Sequence, residues 1–390
     1  MRKIKYGMIG GGIGAFIGEV HRMAAALDGN FELVCGALSS DPQKSLESGI
    51  NLGLDKHRIY PDFRTMIIQE SYFPEDERME IVSIVTPNFM HYEPAKLALE
   101  YGFHVVCDKP LCMTLEEAYD LQKTVAKMGK IFALTHNYTG YPMIKQARYF
   151  IQSGSLGPIR RVVSSYTQGW LSTFLESEGQ KQASWRTDPT KSGYVGAVGD
   201  IGTHAENMVS YLTGLTPTEI SANLNTVVKG RLLDDDASIL LRFDNGATGV
   251  ILVSQVATGE ENNFNVHVSG TEGSLEWNQM DPNRLVVRWK DKPTQEIRTG
   301  DSGLCDQAIS ATRLPAGHPE GYIEAFANIY SGVAKAIRTY RQQGDFKIRE
   351  YDFPTIFDGV RGMEFIQNVV NSHTSVKKWI FYNEFKKSNN

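Results

Sequence analysis

The sequence is poor in cysteine, and the few cysteines form no recognisable site. The chain has Cys35, Cys107, Cys112 and Cys305, and none of them share the C-x-x-C spacing of a zinc or redox motif. We therefore expect no metal ion. We interpret the cysteines as small buried residues in a reducing compartment.

Strong charge of one sign and long apolar runs are also lacking. The formal net charge is −5, with lysine and arginine spread along the chain, so a basic face for nucleic acid is not indicated. No apolar run approaches the ~20 residues that span a bilayer. The first residues lead straight into a strand and a glycine-rich loop, which leaves no room for a signal peptide. These absences predict a cytoplasmic protein with no nucleic-acid or membrane partner.

The first third of the chain alternates between strands and helices. Apolar runs predict strands at residues 4–9, 31–38, 81–86, 103–107 and 131–135. Apolar periodicity predicts helices at residues 18–27, 92–101 and 115–128. Thr114 and Glu117 form a capping box at the start of the last helix. This alternation predicts a doubly wound parallel sheet, a Rossmann domain at residues 1–135.

The remaining chain has a different pattern. Strands are predicted at residues 159–168, 219–227, 237–243, 247–255, 263–269, 273–277 and 284–289, and helices at 201–213, 322–341 and 355–372. We expect an α+β domain at residues 136–390 with a large, mostly antiparallel sheet, whose last helices are free to pack on the first domain. Apolar alternation, as in Val250-Leu252 and Val266-Val268, predicts an open apolar sheet face and hence a homodimer or homotetramer.

A glycine-rich loop follows the first strand and opens the first helix. It fits G-x-G-x-x-A from Gly10 to Ala15. Such a loop lets the backbone approach a pyrophosphate and aims helix N–H groups at it. We predict that a nicotinamide dinucleotide, NAD or NADP, contacts Gly10, Gly12, Ile13, Gly14 and Ala15.

The end of the second predicted strand bears on the choice of cofactor. An acidic residue there binds the ribose 2′-hydroxyl of NAD. This strand instead ends before Ser39 and Ser40, and Lys44 lies one turn later, where its charge suits a 2′-phosphate. The pattern leans towards NADP. In a shifted alignment Asp41 would be the acidic residue.

Three motifs carry a resemblance to a known family. They are the loop Gly10-x-Gly12-x-x-Ala15, the turn Cys107-Asp108-Lys109-Pro110 and the segment Gly199-Asp200-Ile201-Gly202-Thr203-His204. In these motifs and in layout over nearly the whole chain, the sequence resembles the Gfo/Idh/MocA family, the glucose-fructose oxidoreductase and inositol dehydrogenase group. One departure is that Asp108 stands where the family usually has Glu. The acidic group is kept with a shorter reach.

The resemblance implies roles for three residues. Lys109, at the end of a predicted parallel strand, would hydrogen-bond the reacting oxygen and stabilise a developing alkoxide. His204 would be the base and Asp200 would bind substrate. Their i, i+4 spacing places both on one face of a helix. From the residues alone, the pattern favours a surface lysine, a capping aspartate and a packed histidine.

Further candidates are assigned by position. We expect Thr86, Pro87, Asn88, His91 and Asp108 beside the cofactor, although His91 also suits a cap or a packed histidine. Trp185 and Arg186, in a predicted loop, suit stacking on a sugar and bonding to hydroxyls, or equally a hydrophobic anchor with a surface arginine. The other predicted substrate contacts are Asn137, Tyr138, Tyr166 and His318.

We expect an enzyme that transfers hydride between a nicotinamide ring and a secondary alcohol of a sugar, glycoside or inositol. Two alternatives stay open. One is an NAD-dependent glycosidase or lyase that acts through transient sugar oxidation. The other is a non-catalytic nicotinamide-binding regulator. The sequence names neither the sugar nor the reacting carbon.

Overall fold

A computed structural model describes residues 2–347 and 350–382. The outer limits of the predicted domains, residues 1 and 390, lie outside the described residues. Backbone contacts divide the chain into two units. Unit 1 takes the chain up to Gly140 together with Tyr322–Val360, and unit 2 takes Tyr141–Gly321 and the chain from Arg361 onward. The division at 1–135 and 136–390 remains a prediction.

Strands and α-helices are numbered in chain order. The strands are β1 (Ile4–Gly10), β2 (Phe31–Ala37), β3 (Ile81–Val85), β4 (His104–Cys107), β5 (Phe132–Leu134), β6 (Ile159–Thr167), β7 (Pro217–Asn225), β8 (Asp236–Phe243), β9 (Thr248–Ser254), β10 (Asn263–Gly270), β11 (Gly273–Asn278), β12 (Arg284–Trp289), β13 (Gln295–Arg298) and β14 (Ile380–Phe381). The helices are α1 (Phe16–Leu27), α2 (Pro42–Asn51), α3 (Phe63–Ser71), α4 (Tyr92–Glu100), α5 (Leu115–Met128), α6 (Pro142–Gln152), α7 (Lys181–Arg186), α8 (Pro189–Ser192), α9 (Thr203–Thr213), α10 (Asp306–Ser310), α11 (Tyr322–Gln343) and α12 (Ile356–Thr374).

Unit 1 contains a parallel sheet in the order β2-β1-β3-β4-β5. Its central strands are buried apolar runs, as a sheet covered on both faces requires. The strand order reverses between β1 and β3, and Gly10 pairs with Val85 where the two strands end. Ligands of such sheets bind in the crevice at this reversal. The predicted Rossmann architecture is confirmed.

A helix from the far end of the chain completes the core of unit 1. Helix α11 packs on α1, and its Phe326, Ile329, Tyr330 and Val333 join the cluster formed by the first strands. Burial of each such large side chain stabilises the fold by about 1.5–3 kcal/mol. The unit is therefore built from two segments that are widely separated in sequence.

Helices α2 and α3 were not predicted. Both are short, with few large apolar residues in α2 and weak apolar periodicity in α3, but each begins after an aspartate that caps it. Asp41 accepts a hydrogen bond from the Lys44 amide, and Asp62 accepts one from Thr65. The predicted capping box at α5 is confirmed, because the Glu117 amide donates to the Thr114 hydroxyl.

Unit 2 contains a sheet in the order β13-β12-β11-β10-β6-β9-β8-β7-β14. Its pairs are antiparallel except for β6 with β9, which are parallel. The predicted large, mostly antiparallel sheet is confirmed. Polar residues that follow β6 and β9 therefore lie at the same edge of the sheet, which matters for the site below.

The two faces of this sheet differ. One face is core and includes Val266 and Val268, which are fully buried. The other exposes Leu240 and Leu252 by 41% and 39% of their surface, with Val250 half-buried in register beside Leu240. Val266 and Val268 therefore do not share the open face with Val250 and Leu252, because the pleat points the side chains of Val266 and Val268 to the core.

The helices of residues 2–347 and 350–382 include none that is long and apolar enough to cross a membrane.

We predict that Gly18→Ala destabilises the protein. A Cβ on Gly18 would lie 2.3 Å from Gly11 Cα and 2.8 Å from its carbonyl oxygen, so the glycine-rich loop would have to move. We expect a loss of about 2 kcal/mol, measured by urea unfolding. The control is Gly362→Ala in α12, whose Cβ would meet its nearest neighbour at 4.0 Å. It should be neutral or stabilising, and equal losses in both variants would contradict the prediction.

Candidate active site

The glycine-rich loop of unit 1 is anchored by side chains from two helices. Ser48 of α2 accepts a hydrogen bond from the Ile13 amide at 3.1 Å. Arg22 of α1 donates to the Gly11 carbonyl at 2.6 Å. These contacts hold the loop between the end of β1 and the start of α1.

The start of α1 leaves room and hydrogen-bond donors for an anion. Its N-cap is Ala15, which has no side-chain acceptor for the first amides of the helix. Gly14 has a φ of 76°, and no described heavy atom lies within 4 Å of the place where its Cβ would stand. A cavity of ≈ 470 Å³ runs along the loop and is lined by Gly11, Gly12, Ile13, Gly14, Ala15, Phe16, Glu19, Arg22, Ser48, Asn51 and Leu52.

The segment after β2 forms a tight polar turn. The Asp41 amide donates to the Ser39 hydroxyl at 3.1 Å, and the Asp41 carboxylate accepts from the Lys44 amide at 3.1 Å. Asp41 therefore brings a negative charge to the start of α2. Ser40 lies between these residues and is exposed.

The turn after β3 is connected to the turn after β4 by His91. Its ring is fully buried, with Nε2 at 2.8 Å from the Thr86 carbonyl and Nδ1 at 2.7 Å from the Pro110 carbonyl. Burial lowers the pKa of His91, although Asp108 and the two carbonyls oppose the shift. His91 is therefore a packed residue that links two turns, and its side chain does not cap α4. Asn88 is buried in the same turn as Thr86 and Pro87.

Asp108 and Lys109 follow β4 directly. The Asp108 amide donates to the Ile84 carbonyl of β3 at 2.9 Å. Its carboxylate accepts from the Thr135 hydroxyl at 2.7 Å. Lys109 is thus presented at the carboxyl edge of the sheet, where the glycine-rich loop also lies. Asn137 and Tyr138, after β5, are buried in this unit.

In unit 2, Asp200 and His204 lie at a junction between two kinds of helix. Val198–Gly202 forms a π-helical turn that continues into α9. The helix predicted at 201–213 therefore begins as a π-helical turn, and the i, i+4 spacing of an α-helix does not apply between Asp200 and His204. Such turns are frequent at functional sites.

A buried aspartate fixes the start of the π-helical turn. The Asp234 carboxylate accepts from the amides of Gly196 at 2.6 Å and Val198 at 2.9 Å. A Cβ on Gly196 would lie 2.3 Å from the Asp234 carbonyl oxygen, so only glycine allows this approach. Burial raises the pKa of Asp234 to about 6, with Asp235 acting in the same direction.

The Asp200 carboxylate faces two donors. Gln255, just after β9, donates from Nε2 to Oδ2 at 2.8 Å, and Nε of Arg186 lies 3.3 Å from the same oxygen. Arg186 also lies over the ring of Trp185, 4.2 Å from its centroid. Asp200 and Arg186 are each only partly buried, so the group borders open space.

His204 packs beside Tyr166, which is connected to Asp200 by hydrogen bonds through Asn262, Gln168 and Gln255. It is buried, and its ring centroid is 6.2 Å from that of Tyr166 on β6. The Tyr166 hydroxyl donates to Asn262 at 2.6 Å, and Gln168 donates to the same amide oxygen at 2.8 Å. Trp170 donates to Gln168 at 3.1 Å. The result is a polar surface with aromatic borders.

Comparison with known proteins decides the family. The model described as "Oxidoreductase family, NAD-binding Rossmann fold" matches residues 4–136, and that of the GFO/IDH/MocA C-terminal domain matches residues 144–276. The uncharacterized oxidoreductase YfiI of Bacillus subtilis (strain 168) is 34% identical over 391 residues, covering 99% of this chain and 98% of that protein. The chain belongs to the Gfo/Idh/MocA oxidoreductase family.

Other proteins similar to this chain are named for a substrate or were solved with a bound ligand. The levoglucosan dehydrogenase of Pseudarthrobacter phenanthrenivorans is 29% identical over 317 residues, 74% of this chain and 76% of that protein. The inositol dehydrogenase homolog of Azotobacter vinelandii complexed with NAD+ is 36% identical, with a TM-score of 0.93 and 98% of each chain covered. Its complex with NADH and myo-inositol is 35% identical, with a TM-score of 0.91 and the same coverage.

The fold of this Gfo/Idh/MocA chain groups the predicted residues by unit. Unit 1 holds the glycine-rich loop, Ser39, Ser40, Lys44, the Thr86–Asn88 turn, His91, Asp108, Lys109, Asn137 and Tyr138. Unit 2 brings together Tyr166, Arg186, Asp200 and His204. His318 lies on an exposed turn of unit 2, with Nδ1 at 3.1 Å from the Pro315 carbonyl.

One placement differs from expectation. Trp185 and Arg186 were expected in a loop, but they end the short helix α7. Gln180 caps this helix by accepting from the Ala183 amide at 2.6 Å. The prediction was wrong because six residues give too little periodicity to indicate a helix.

Sequence reasoning missed Gln255, Gln168 and Asn262. Gln168 and Gln255 directly follow β6 and β9, whose last residues pair in parallel. Polar residues after parallel strands are a recognisable signal. Here the signal was hidden, because the sequence does not show that β6 pairs with β9 across an insertion of several elements.

We predict that Asp234 makes stability depend on pH between 4 and 7. Its pKa is raised to about 6 from 3.8, so its contribution is present below pH 3.8 and is lost as the pH rises through 6. The free energy of unfolding of the wild type, relative to Asp234→Asn, should fall by up to about 3 kcal/mol over this interval. Urea unfolding at a series of pH values measures the difference.

The matched control is Asp188→Asn. Asp188 caps α8, and its hydrogen bond with Lys191 lowers its pKa to about 2. Its contribution is lost only as the pH falls through about 2, so this difference should be flat between pH 4 and 7. A flat curve for Asp234→Asn as well would show that Asp234 is not a buried titrating carboxyl.

Proposed function

We propose that the protein is an NAD-dependent dehydrogenase that oxidises a secondary alcohol of a sugar, glycoside or inositol, or reduces the corresponding ketone. The observation that carries the proposal is the polar surface of unit 2, where Arg186 and Gln255 contact the Asp200 carboxylate and His204 packs beside Tyr166. These residues offer a proton acceptor, an acceptor for a substrate hydroxyl group, and hydrogen-bond donors. The family membership supplies the nicotinamide chemistry.

Unit 1 has the features that a dinucleotide requires. The uncapped start of α1 suits a pyrophosphate, and the open space at Gly14 admits close approach. We assign this binding to Gly10, Gly12, Ile13, Gly14 and Ala15. Thr86, Pro87, Asn88 and Asp108 would border the rest of the cofactor. When bound, NAD supplies the hydride acceptor.

The roles of the reacting groups follow from their charge and their ability to accept a proton. Oxidation removes a hydride from carbon and a proton from the hydroxyl group. We assign the proton to His204, because a neutral imidazole has a ring nitrogen that can accept it. The Lys109 ammonium stabilises the negative charge that develops on the oxygen. Asp200, oriented by Gln255 and Arg186, accepts a neighbouring substrate hydroxyl.

We propose NAD as the cofactor. The sequence leaned towards NADP through Ser39, Ser40 and Lys44, but the compared complexes contain NAD+ or NADH and give that lean no support. The Asp41 carboxylate at the start of α2 also favours NAD, because it would repel a 2′-phosphate bound near Lys44.

A polyhydroxylated substrate suits the polar surface of unit 2. Trp170 and Trp185 border it, and the plane of an indole packs well against the C–H face of a sugar. Asn137, Tyr138, Tyr166 and His318 stay assigned to substrate as proposals. The names of the levoglucosan dehydrogenase and of the complex with myo-inositol support the same class.

We predict that a screen of sugars, inositols and glycosides finds an alcohol that reduces NAD+, measured by the absorbance of the NADH formed. The kcat/KM with NAD+ should be higher than with NADP+. His204→Ala should lower kcat by about 10²–10⁴, because a positioned base is lost. Lys109→Ala should lower it by about 10²–10³. Neither should change the Kd of NADH much, since the loop at Gly10–Ala15 holds it. The double variant should be far from additive.

The control is Lys127→Ala, which removes an exposed lysine in the last turn of α5, in the same unit but without a role in the proposed site. It should leave kcat unchanged. Full turnover in folded, NADH-binding His204→Ala would show that His204 is not the base. Product formation with cofactor held and no net reduction would instead favour the glycosidase or lyase, and NADH binding without turnover would favour the regulator.

We also propose that the protein is a homo-oligomer, and we keep the cytoplasm as its predicted compartment. The open sheet face of unit 2 presents Leu240, Val250, Leu252 and Val163 in neighbouring register positions. An apolar patch of this kind is typical of an interface between copies of a chain.

We predict that Leu240→Glu shifts the protein towards the monomer, because it places a charge in the apolar centre of this face. Light scattering at micromolar concentration measures the mass. The control is Leu232→Glu, which changes a 76% exposed leucine outside the sheet and should leave the mass unchanged. A monomeric wild type would overturn the proposal.

A further inference from the structure

A chain of buried polar groups in unit 1 ends at Asp108. His21 of α1 is fully buried, with Nδ1 at 2.8 Å from the Tyr330 hydroxyl of α11 and 3.2 Å from the Ser83 hydroxyl of β3. The two hydroxyl oxygens are 2.9 Å apart. On the other side of the ring, Nε2 lies 4.0 Å from Asp108 Oδ1. Among the described residues, Nε2 has no hydrogen-bond partner.

The surroundings of His21 select one protonation state. Burial lowers the pKa of His21 to about 4, with Asp108 opposing the shift and Arg22 adding to it. The imidazole is therefore neutral near pH 7 and carries one proton. Burial also raises the pKa of Tyr330, so this hydroxyl keeps its proton.

The single proton of His21 belongs on Nε2. In this tautomer Nδ1 accepts from a hydroxyl, and the Nε2–H group faces the Asp108 carboxylate. In the other tautomer Nδ1 would donate to Tyr330 and leave the Nε2 lone pair facing negative charge. The first arrangement satisfies Nδ1 and gives an attraction across the 4.0 Å gap. The second leaves a repulsion in a buried place.

Asp108 connects these buried polar groups to Lys109, the residue with the proposed catalytic role. Its Oδ1 already accepts from Thr135 at 2.7 Å, and the same oxygen faces His21. A shift of about 1 Å would bring Nε2–H and Oδ1 to an ordinary hydrogen-bond distance. Asp108 directly precedes Lys109, so its side-chain direction constrains the turn that presents the lysine.

We propose that His21 is a positioning residue: with its proton on Nε2, it fixes the Asp108 carboxylate and thereby the turn that carries Lys109, while the Tyr330 hydroxyl donates to Nδ1 and holds the ring. This inference rests on the proposed function of Lys109. Neither His21 nor Tyr330 needs to touch substrate or cofactor. Their effect is to fix where the Lys109 turn stands.

The structure offers a matched control on the same helix. Tyr340 of α11 also packs edge-on against a buried histidine, His104 of β4, with ring centroids 4.9 Å apart. The corresponding distance from Tyr330 to His21 is 5.9 Å. His104 accepts from the Ile131 amide at 3.0 Å and lies at the opposite end of β4 from Asp108. Tyr330→Phe thus removes a hydroxyl that contacts the His21 ring, whereas Tyr340→Phe removes one that accepts from Lys130 at 2.9 Å and leaves the packing on His104 in place.

The kinetic experiment compares these two variants in the full chain with NAD+ and the best alcohol from the screen. Tyr330→Phe should lower kcat about tenfold, the effect of one lost hydrogen bond, with the KM for NAD+ unchanged. Tyr340→Phe should keep kcat within about twofold. His21→Gln, whose amide can accept on one side and donate on the other, should retain more activity than His21→Leu. A merely structural role would lower stability without this rescue.

A second measurement does not depend on turnover. Nitrogen-15 NMR of histidine-labelled protein, saturated with NADH, reports which ring nitrogen of His21 carries the proton. A proton on Nε2 supports the inference, and a proton on Nδ1 overturns it. Equal kcat in Tyr330→Phe and Tyr340→Phe would also overturn it.

Lys109→Ala separates the two proposals. If this variant loses turnover while Tyr330→Phe matches the wild type, only the inference about His21 fails. If Lys109→Ala retains turnover, the proposed function of Lys109 fails and with it the link to catalysis. The NMR result then still decides the tautomer.

Discussion

The parallel pairing of β1 with β3 is the interaction on which the site in unit 1 depends. It places the end of β1, which leads into the glycine-rich loop, beside the end of β3, which leads into Thr86. The close approach of Gly11 to Gly18 then allows α1 to start directly at this edge. Since β4 pairs next to β3, Asp108 and Lys109 emerge at the same edge, and His91 connects their turn to the Thr86 turn.

Unit 2 uses buried carboxylates for a comparable task. The Asp234 carboxylate accepts from the Gly196 and Val198 amides at the start of the π-helical turn, and this fixes the segment that carries Asp200. Gln255 and Arg186 then orient the Asp200 carboxylate from two other segments. The polar surface therefore depends on several separate loops, each held by a specific acceptor, and not on one continuous motif.

Sequence reasoning reached those features whose signal is local. Buried strands appear as apolar runs, and the glycine-rich loop appears between a strand and a helix, so the architecture of unit 1 was predictable. The π-helical turn at Asp200 was not, since residue spacing looks the same for neighbouring helical types. Arg186 was proposed as a substrate contact, but its pairing with Asp200 depends on α7, which is too short to show periodicity. Gln255 required knowledge that β6 and β9 are neighbours.

The discontinuous make-up of unit 1 has a consequence for synthesis on the ribosome. When residue 140 has been made, the sheet of unit 1 is complete, but Phe326, Ile329, Tyr330 and Val333 of α11 are still missing from its core. Until they are made, apolar side chains stay exposed, and Ser83 and His21 lack the Tyr330 hydroxyl. The core of the Rossmann unit therefore cannot be completed until the intervening residues of unit 2 and then α11 have been synthesised. During that interval it is a natural client for chaperones that shield apolar surface.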